Sequence, residues 1–205
     1  MILCDIGNSN ADFYHDGKIW SLNLREFDDY VASQTVYYIN VNPDMEEKLT
    51  SKKKFINIKS YFHFDTIYQG MGIDRVAACY TIDNGIVIDA GSAITVDVMS
   101  NSMHLGGYIL PGLSAYSSSY KNISANLETR INPNVILDAL PQKTEDAVSY
   151  GIVKSILMML DETCQNKNIF FTGGDGKFFS KFFQNSIYDR SLVFRGMIKA
   201  ISSYP

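Results

Sequence analysis

Two short segments of the chain place an aspartate near the end of an apolar run and follow it with glycine and a small polar residue. The first is Ile2-Leu3-Cys4-Asp5-Ile6-Gly7-Asn8-Ser9, and the second is Ile86-Val87-Ile88-Asp89-Ala90-Gly91-Ser92. Each copy combines a carboxylate, the flexible backbone of a glycine and a side-chain hydroxyl or amide, which together can hold phosphate oxygens and the cation that accompanies them. The repetition predicts phosphate chemistry built from two related halves.

A third carboxylate lies between these segments, in Gly72-Ile73-Asp74-Arg75. Asp74 could cap the start of a helix, which is the more frequent role of an aspartate in this setting. It could also act on a substrate, with Arg75 binding an anionic group through its planar guanidinium. Residue chemistry alone does not choose among Asp5, Asp74 and Asp89 as a general base.

The commoner nucleotide-binding patterns are missing from the sequence. The Gly-Lys pairs at 17–18 and 176–177 lack the Ser or Thr of a P-loop, and Gly70-Met71-Gly72-Ile73-Asp74-Arg75 ends in Arg where a dinucleotide fingerprint has Gly. The three histidines have no spacing typical of zinc ligands or of a catalytic triad; they are His15, His63 and His104.

The composition is that of an ordinary globular protein. With 205 residues, of which 46% are hydrophobic, the chain can bury one substantial core or two small ones. A net charge of −4 argues against a general nucleic-acid binder, and no apolar run is long enough to cross a membrane. Cys4, Cys79 and Cys164 lie in apolar contexts and are expected to pack in the core, which favours a reduced, cytoplasmic protein.

The alternation of apolar and polar residues predicts that each Asp-x-Gly segment opens a β-hairpin. In the first half the predicted elements that follow are a third strand at 21–24, a helix at 28–33, a strand at 36–41, a helix at 44–51, a strand at 54–58 and a helix at 75–82. In the second half they are a strand at 105–110, helices at 112–127 and 145–163, a strand at 168–172 and closing helices. The order of strands and helices is thus repeated.

Four motifs in this order resemble those of the type III pantothenate kinases. They are Asp5-x-Gly7-Asn8-Ser9, Gly72-x-Asp74-Arg75, Asp89-x-Gly91-Ser92-Ala93-x-Thr95 and Gly106-Gly107-x-Ile109-x-Pro111-Gly112. Leu140-Pro141-x-x-Thr144 and Thr172-Gly173-Gly174-Asp175 extend the resemblance over nearly the whole chain. It implies ATP-dependent phosphorylation of the primary hydroxyl of pantothenate to 4′-phosphopantothenate, the first step of coenzyme A biosynthesis.

The fold expected from the repeat and the resemblance is α/β. It has two duplicated ribonuclease H-like lobes, residues 1–82 and 83–205, which face each other across a cleft as in actin, sugar kinases and Hsp70. The family resemblance also implies a homodimer. The stretches 116–120 and 157–160 are compatible with a subunit interface and equally with a buried helix face.

The resemblance assigns roles to individual residues of the acceptor site. Asp74 is expected to be the general base, and the residues expected to bind pantothenate are Tyr68, Gly72, Ile73, Asp74, Arg75 and Thr144. Thr144 also has the position of an N-cap for the helix predicted at 145–163.

A second group is expected to bind ATP and its cations. The residues assigned to ATP are Asp5, Ile6, Gly7, Asn8, Ser9, Asn10, Ala11, Asp12 and Ser92. Asp5 is expected to hold Mg²⁺ through water, and Asp89 a monovalent cation, K⁺ or NH₄⁺. Gly112 has no side chain, which would allow a substrate or partner to approach the backbone closely. In the same way, Gly173 and Gly174 would allow adenine to lie against the backbone.

Some positions depart from the family pattern. Asp12 stands where many members have a basic residue, which predicts weak ATP affinity, and serine replaces the usual threonine at Ser9 and Ser92. The spacing from Tyr68 to Gly72 is shorter than usual. Two alternative functions stay open, a non-catalytic accessory protein for transcription and a small ATPase clamp that binds another protein.

Overall fold

The computed structural model describes residues 1–204, and within them the chain forms ten β-strands and seven α-helices. The strands are β1 Ile2–Ile6, β2 Asn10–His15, β3 Lys18–Asn23, β4 Val36–Asn40, β5 Phe55–Asn57, β6 Gly85–Ala90, β7 Ala93–Ser100, β8 Met103–Pro111, β9 Ile169–Thr172 and β10 Ser186–Tyr188. The helices are α1 Leu24–Asp28, α2 Glu46–Ser51, α3 Ile73–Cys79, α4 Leu113–Ile123, α5 Thr144–Cys164, α6 Gly176–Ser180 and α7 Leu192–Ser203.

The strands form two five-stranded sheets whose orders correspond. The first sheet has the order β3-β2-β1-β4-β5, and the second, read from its other edge, has the order β8-β7-β6-β9-β10. In the first sheet β1 pairs antiparallel with β2 and parallel with β4, while in the second β6 pairs parallel with β9. The duplicated α/β architecture predicted from the repeated Asp-x-Gly segments is therefore confirmed.

Alternation along β1 divides its side chains between the two faces of the first sheet. Ile2, Cys4 and Ile6 join one core cluster with residues of α1 and α2, whereas Leu3 and Asp5 belong to the other face. Helix α7 packs against β1, and α3 packs against both β4 and α7. The helix that carries Asp74 is thus held by the face of the sheet to which Asp5 belongs.

The second sheet has its own core. Ile86, Ile88 and Ala90 of β6 pack with a row of buried residues along α5, spaced four positions apart, which places them on one face of the helix. The row consists of Val148, Ile152, Ile156, Leu160 and Cys164. Asp89 lies between the core residues of β6 in sequence, so its side chain belongs to the opposite face of the sheet.

The described residues group into two compact units. The first contains residues 1–83, 99–106 and 191–204, and the second contains residues 84–98 and 107–190. Two segments from the second half of the sequence, the tip of the β7–β8 hairpin and α7, therefore belong to the first unit. The lobe boundaries 1–82 and 83–205 stay a prediction.

Several predicted element boundaries are wrong in the first half of the chain. The third strand is β3 at Lys18–Asn23 rather than 21–24, and the first helix is Leu24–Asp28 rather than 28–33. The reason is the capping box of Asn23, whose side chain accepts the amide of Glu26 while the Glu26 side chain accepts the amide of Asn23. This pair starts the helix earlier than the apolar pattern indicates. The short strand β10 was not among the predicted elements.

The three cysteines are buried and form no disulfide, which confirms that they pack in the core. Burial raises the pKa of the Cys164 thiol to about 11. Within residues 1–204, none of the helices has the length and apolar character needed to cross a membrane.

The packing of α3 on α7 can be tested at Gly196, where a Cβ would overlap the carbonyl oxygen of Ala77. We expect Gly196→Ala to lower the free energy of unfolding by about 1–3 kcal/mol, because the two helices would have to separate. Scanning calorimetry of Gly151→Ala provides the control, since the nearest atom there is the flexible Tyr120 hydroxyl at 3.3 Å. That variant should be neutral or more stable by up to about 1 kcal/mol, from helix propensity alone.

Candidate functional site

The first Asp-x-Gly segment forms the end of β1 and the turn into β2. The Gly7 amide donates to the Asn10 carbonyl at 2.9 Å, which closes the turn, and Asn8 and Ser9 at its tip are exposed. Ile6 and Ala11 are fully buried, so their side chains fill the core and only their backbone groups are available to a ligand. The exposed polar groups of the turn are those suited to phosphate oxygens.

Two carboxylates lie opposite each other behind this turn. Asp5 of β1 and Asp12 of β2 are register partners, and side chains of directly paired residues project from the same face of a sheet. Asp12 also accepts a hydrogen bond from the Ser21 hydroxyl on β3. Burial and these two neighbouring carboxylates raise the pKa of the Cys4 thiol, so Cys4 remains a neutral part of the core.

The start of α3 lies at the same edge of the first sheet as this turn. Val41, which follows β4, donates its amide to the Ile6 carbonyl at 3.0 Å. A Cβ built on Gly72 would be 3.6 Å from Cγ1 of Val41. Val41 therefore connects the end of β1 to the residue that begins α3, and the predicted ATP turn and acceptor site share the carboxyl edge of parallel strands β1 and β4.

Gly72 is the N-cap of α3 and leaves room for the side chain of Asp74. A Cβ on Gly72 would overlap Oδ1 of Asp74, and that oxygen accepts the Arg75 amide at 2.7 Å. Asp74 lies within the first turn of the helix rather than at its N-cap. The carboxylate folds back over the backbone of Gly72, toward the edge of the sheet.

Arg75 and Tyr68 form a stacked pair. The Arg75 guanidinium carbon lies 4.7 Å from the centroid of the Tyr68 ring, a cation–π contact, and Arg75 is 5% exposed. Stacking fixes the plane of the guanidinium, which suits recognition of a carboxylate. Ile73 is buried, so it can contribute only its backbone to a site.

The second Asp-x-Gly segment is built around a close approach of backbone to carboxylate. Asp89 pairs in register with Thr172, and Gly173, which follows, has a φ of +80°. A Cβ on Gly173 would overlap Oδ1 of Asp89 and would lie 2.5 Å from the Ala90 carbonyl. Glycine is needed here for both its conformation and its size. The Asp175 amide donates to the same carbonyl at 2.8 Å, and burial raises the pKa of the Asp175 carboxyl.

The glycine at the start of α4 contacts the second turn of the chain. The Gly112 amide donates to the Ser92 carbonyl at 3.1 Å, and a Cβ on Gly112 would overlap the Gly91 carbonyl. The close approach expected at Gly112 is therefore made to the protein's own backbone. It holds the Gly91-Ser92 turn against the first residues of α4.

Thr144 is the first residue of α5 and is exposed. The N-cap is Lys143, which makes no capping hydrogen bond through its side chain. The prediction that Thr144 caps this helix is wrong by one residue, because the extended backbone ends at Lys143 and Thr144 is already helical. Its hydroxyl remains available to a ligand at the helix start.

The predicted site residues divide between the two compact units. Residues 5–12, Tyr68 and residues 72–75 belong to the first unit, while Asp89, Ser92 and Thr144 belong to the second. The motifs did not draw attention to His104, which is buried and contacts both Thr66 and Tyr68. The signal that could have found this contact is the alternation of Phe64, Thr66 and Tyr68 with polar or exposed neighbours.

Comparisons with known proteins agree with the motif pattern. The family model described as type III pantothenate kinase matches residues 49–166. A relative from Campylobacter jejuni, named type III pantothenate kinase, is 54% identical over 205 residues, which span 100% of this chain and 98% of the relative.

Solved structures agree with the fold. A crystal structure from Campylobacter jejuni, described as a conserved Baf family transcriptional activator, is 52% identical, covers 98% of each chain and has a TM-score of 0.91. A protein from Sinorhizobium meliloti described as a 2-dehydro-3-deoxygalactonokinase has a TM-score of 0.53 over 98% of this chain and 96% of its own. At 10% identity, this second likeness concerns the fold alone and agrees with the predicted α/β fold class.

Two adjacent glycines test the packing around Asp89. We expect Gly173→Ala to lower the free energy of unfolding by roughly 2–4 kcal/mol, because the added methyl group would meet Asp89 and the backbone conformation disfavours alanine. Gly174→Ala is the control, since a Cβ there meets nothing within 4 Å, and its effect should stay within about 0.5 kcal/mol. Urea unfolding followed by circular dichroism measures the free energy of unfolding of both variants. Equal destabilisation of the two would contradict the close packing of Gly173 against Asp89.

Proposed function

Because the chain belongs to the type III pantothenate kinase family, we propose that it phosphorylates pantothenate with ATP to form 4′-phosphopantothenate, the first step of coenzyme A biosynthesis. The family match and the full-length relative support this activity. Kinases of this family use ATP together with a divalent metal ion. The structural observation that carries the proposal is the shared edge of β1 and β4, which brings the Asn8-Ser9 turn and the start of α3 together through Val41.

Asp74 is proposed as the general base. In the reaction, the primary hydroxyl oxygen of pantothenate forms a bond to the γ-phosphorus, and the bond between that phosphorus and the β–γ bridging oxygen breaks. The hydroxyl proton passes to the Asp74 carboxylate, and ADP leaves with the bridging oxygen. Since phosphoryl transfer depends chiefly on alignment and charge, a carboxylate held beside the acceptor hydroxyl is sufficient. The support for this role is the position of Asp74 over Gly72 at the carboxyl edge of the sheet.

Arg75 and Tyr68 are proposed to bind the anionic end of pantothenate. The buried guanidinium is already held against the Tyr68 ring, so little conformational freedom is lost when a carboxylate binds. Gly72 and Ile73 would contribute backbone groups, and Thr144 its exposed hydroxyl.

The turn between β1 and β2 is proposed to bind ATP phosphates, with Asn8, Ser9 and Asn10 supplying exposed polar groups and Gly7 its backbone. Ile6 and Ala11 would contribute backbone only, and Ser92 the corresponding hydroxyl of the second turn. Asp5 and Asp12 place carboxylate oxygens on one face, a donor set that fits magnesium, which prefers oxygen ligands and retains several waters. When bound, magnesium screens the negative charge of the triphosphate.

Asp89 is proposed to hold a monovalent cation, K⁺ or NH₄⁺. The fit is supported by two oxygen atoms that lie near each other, Oδ1 of Asp89 and the Ala90 carbonyl oxygen, both close to the position of a Cβ built on Gly173. Such a cation supplies positive charge beside the phosphates when bound. The residues of this chain contribute the carboxylate, its backbone cradle and the Ser92 hydroxyl nearby in sequence.

A homodimer is also proposed. Along α5, Met158 and Met159 are 65% and 44% exposed, while Leu160 is fully buried. The stretch 157–160 therefore divides between a core face and an exposed apolar face, and the exposed methionines are suited to a subunit contact.

The alternative of a transcriptional accessory protein is suggested by the description of one solved relative. It is less well supported, because the chain carries a net charge of −4 and retains all three aspartates of the kinase motifs. Pantothenate-dependent consumption of ATP by the wild type distinguishes the kinase. Consumption without pantothenate would favour an ATPase clamp, and no consumption would favour the accessory protein.

The general base is tested by Asp74→Asn. We expect kcat to fall by about 10²- to 10⁴-fold with little change in the KM for pantothenate, because the amide preserves the shape but cannot accept the proton. Chromatographic detection of 4′-phosphopantothenate measures both constants. Asp65→Asn, at an exposed position in the preceding segment, is the control and should match the wild type. An undiminished kcat in Asp74→Asn would rule out Asp74 as the base.

The cation site is tested by Asp89→Asn. In the wild type, replacing Na⁺ by K⁺ should raise the rate of 4′-phosphopantothenate formation, whereas the variant should lose this difference, because a neutral amide binds the ion weakly. We expect the affinity of the site for K⁺ to fall by about tenfold or more, as for the removal of one charged ligand. Asp138→Asn, an exposed change in the same compact unit, should leave the stimulation intact. A variant that still responds fully to K⁺ would exclude Asp89.

A further inference from the structure

A buried histidine lies behind the segment that carries Tyr68. His104, in β8, is 2% exposed, and its amide donates to the Asp65 carbonyl at 3.1 Å. Thr66 and His104 form an isolated parallel bridge between residues 62–72 and the start of β8. Backbone pairing thus attaches the middle of an otherwise irregular segment to a strand of the second sheet.

The side chains of this segment alternate between exposed and sheltered positions. Phe64, Thr66 and Tyr68 are partly buried, whereas Asp65 and Ile67 are exposed. The three sheltered side chains all contact the His104 ring: Phe64 and Tyr68 lie 5.8 and 5.9 Å away between ring centroids, and Thr66 makes a hydrogen bond. His104 is therefore the common partner of the inward face of the segment.

Two hydrogen bonds connect the ring to the backbone of Tyr68. His104 Nδ1 lies 2.7 Å from Thr66 Oγ1, and the same Oγ1 accepts the Tyr68 amide at 3.0 Å. A threonine hydroxyl has one hydrogen to donate and can accept two hydrogen bonds, so Thr66 Oγ1 can bond to the His104 ring and to the Tyr68 amide at the same time. Thr66 Oγ1 therefore links the His104 ring to the backbone of Tyr68.

The chain of contacts ends at the acceptor site. The Tyr68 ring lies against the Arg75 guanidinium, with 4.7 Å between its centroid and the guanidinium carbon, and the Arg75 amide donates to Asp74. A shift of the Tyr68 backbone would move the ring and release the guanidinium from its plane. Irregular segments sample several conformations unless side chains or backbone bonds restrain them.

We propose that His104, acting through the Thr66 hydroxyl, is a positioning residue that holds Tyr68 against Arg75 and thereby sets the affinity for pantothenate. The inference rests on the proposed function, in which Tyr68 and Arg75 bind the substrate. His104 contacts neither reacting group; its effect passes through Thr66 and Tyr68.

The test removes and restores the Thr66 hydroxyl. Thr66→Val keeps the shape of the side chain but loses both hydrogen bonds, so we expect the KM for pantothenate to rise about tenfold, as for the loss of one buried hydrogen bond. The value of kcat and the KM for ATP should stay within about twofold. Thr66→Ser keeps the hydroxyl and should restore the KM for pantothenate.

Two substitutions of His104 provide an independent comparison. His104→Phe keeps a ring between Phe64 and Tyr68 but cannot bond to Thr66, so it should resemble Thr66→Val. His104→Asn places an amide near the position of Nδ1 and should lie closer to the wild type. His63→Ala removes an exposed histidine from the same segment and should have no effect.

Hydrogen exchange supplies a measurement that does not depend on catalysis. In Thr66→Val the Tyr68 amide should exchange about tenfold faster than in the wild type, and in Thr66→Ser at the wild-type rate. A lower melting temperature with unchanged KM for pantothenate would show a purely structural role and overturn the inference. If the wild type shows no pantothenate-dependent turnover, the proposed function fails. Unchanged exchange at Tyr68 would overturn the positioning role by itself.

Discussion

The parallel pairing of β1 with β4 is the constraint on which the first compact unit depends. Parallel strands end at the same edge, and here the ends of β1 and β4 are joined by the bond from the Val41 amide to the Ile6 carbonyl. That edge carries the turn after Asp5 and receives the first turn of α3. A shift of register by one residue would exchange the faces of β1 and turn Asp5 into the core.

The same constraint operates in the second unit with different details. The parallel pairing of β6 with β9 brings Asp89 beside Thr172, and the chain after β9 then passes so close to Asp89 that only glycine fits at position 173. The two aspartates thus occupy corresponding places, each next to last in the central strand of its sheet. The first lies beside Asp12, behind an exposed polar turn, whereas the second is closely approached by backbone, and different cations are proposed for the two.

The proposed acceptor site is built around a few polar groups held in fixed positions. Arg75 is almost fully buried and stacked on Tyr68, and Tyr68 is in turn fixed by hydrogen bonds that lead back to His104. A buried polar group that loses its hydrogen-bond partner costs free energy, so a substitution at one of these residues is expected to affect the others. It also explains how an irregular segment can hold the Tyr68 ring in one orientation.

The sequence by itself determined the family, the duplicated order of strands and helices, and the burial of Cys4, because each of these depends on a local pattern of apolar, acidic and glycine residues. It misplaced α1, since the capping box of Asn23 outweighed the apolar periodicity. The contact between Thr66 and His104 joins residues 38 positions apart, and the approach of Gly112 to the Gly91-Ser92 turn is equally non-local. Only the tertiary structure decided these, because they depend on strand register and on which backbones meet, and neither leaves a periodic trace in the chain.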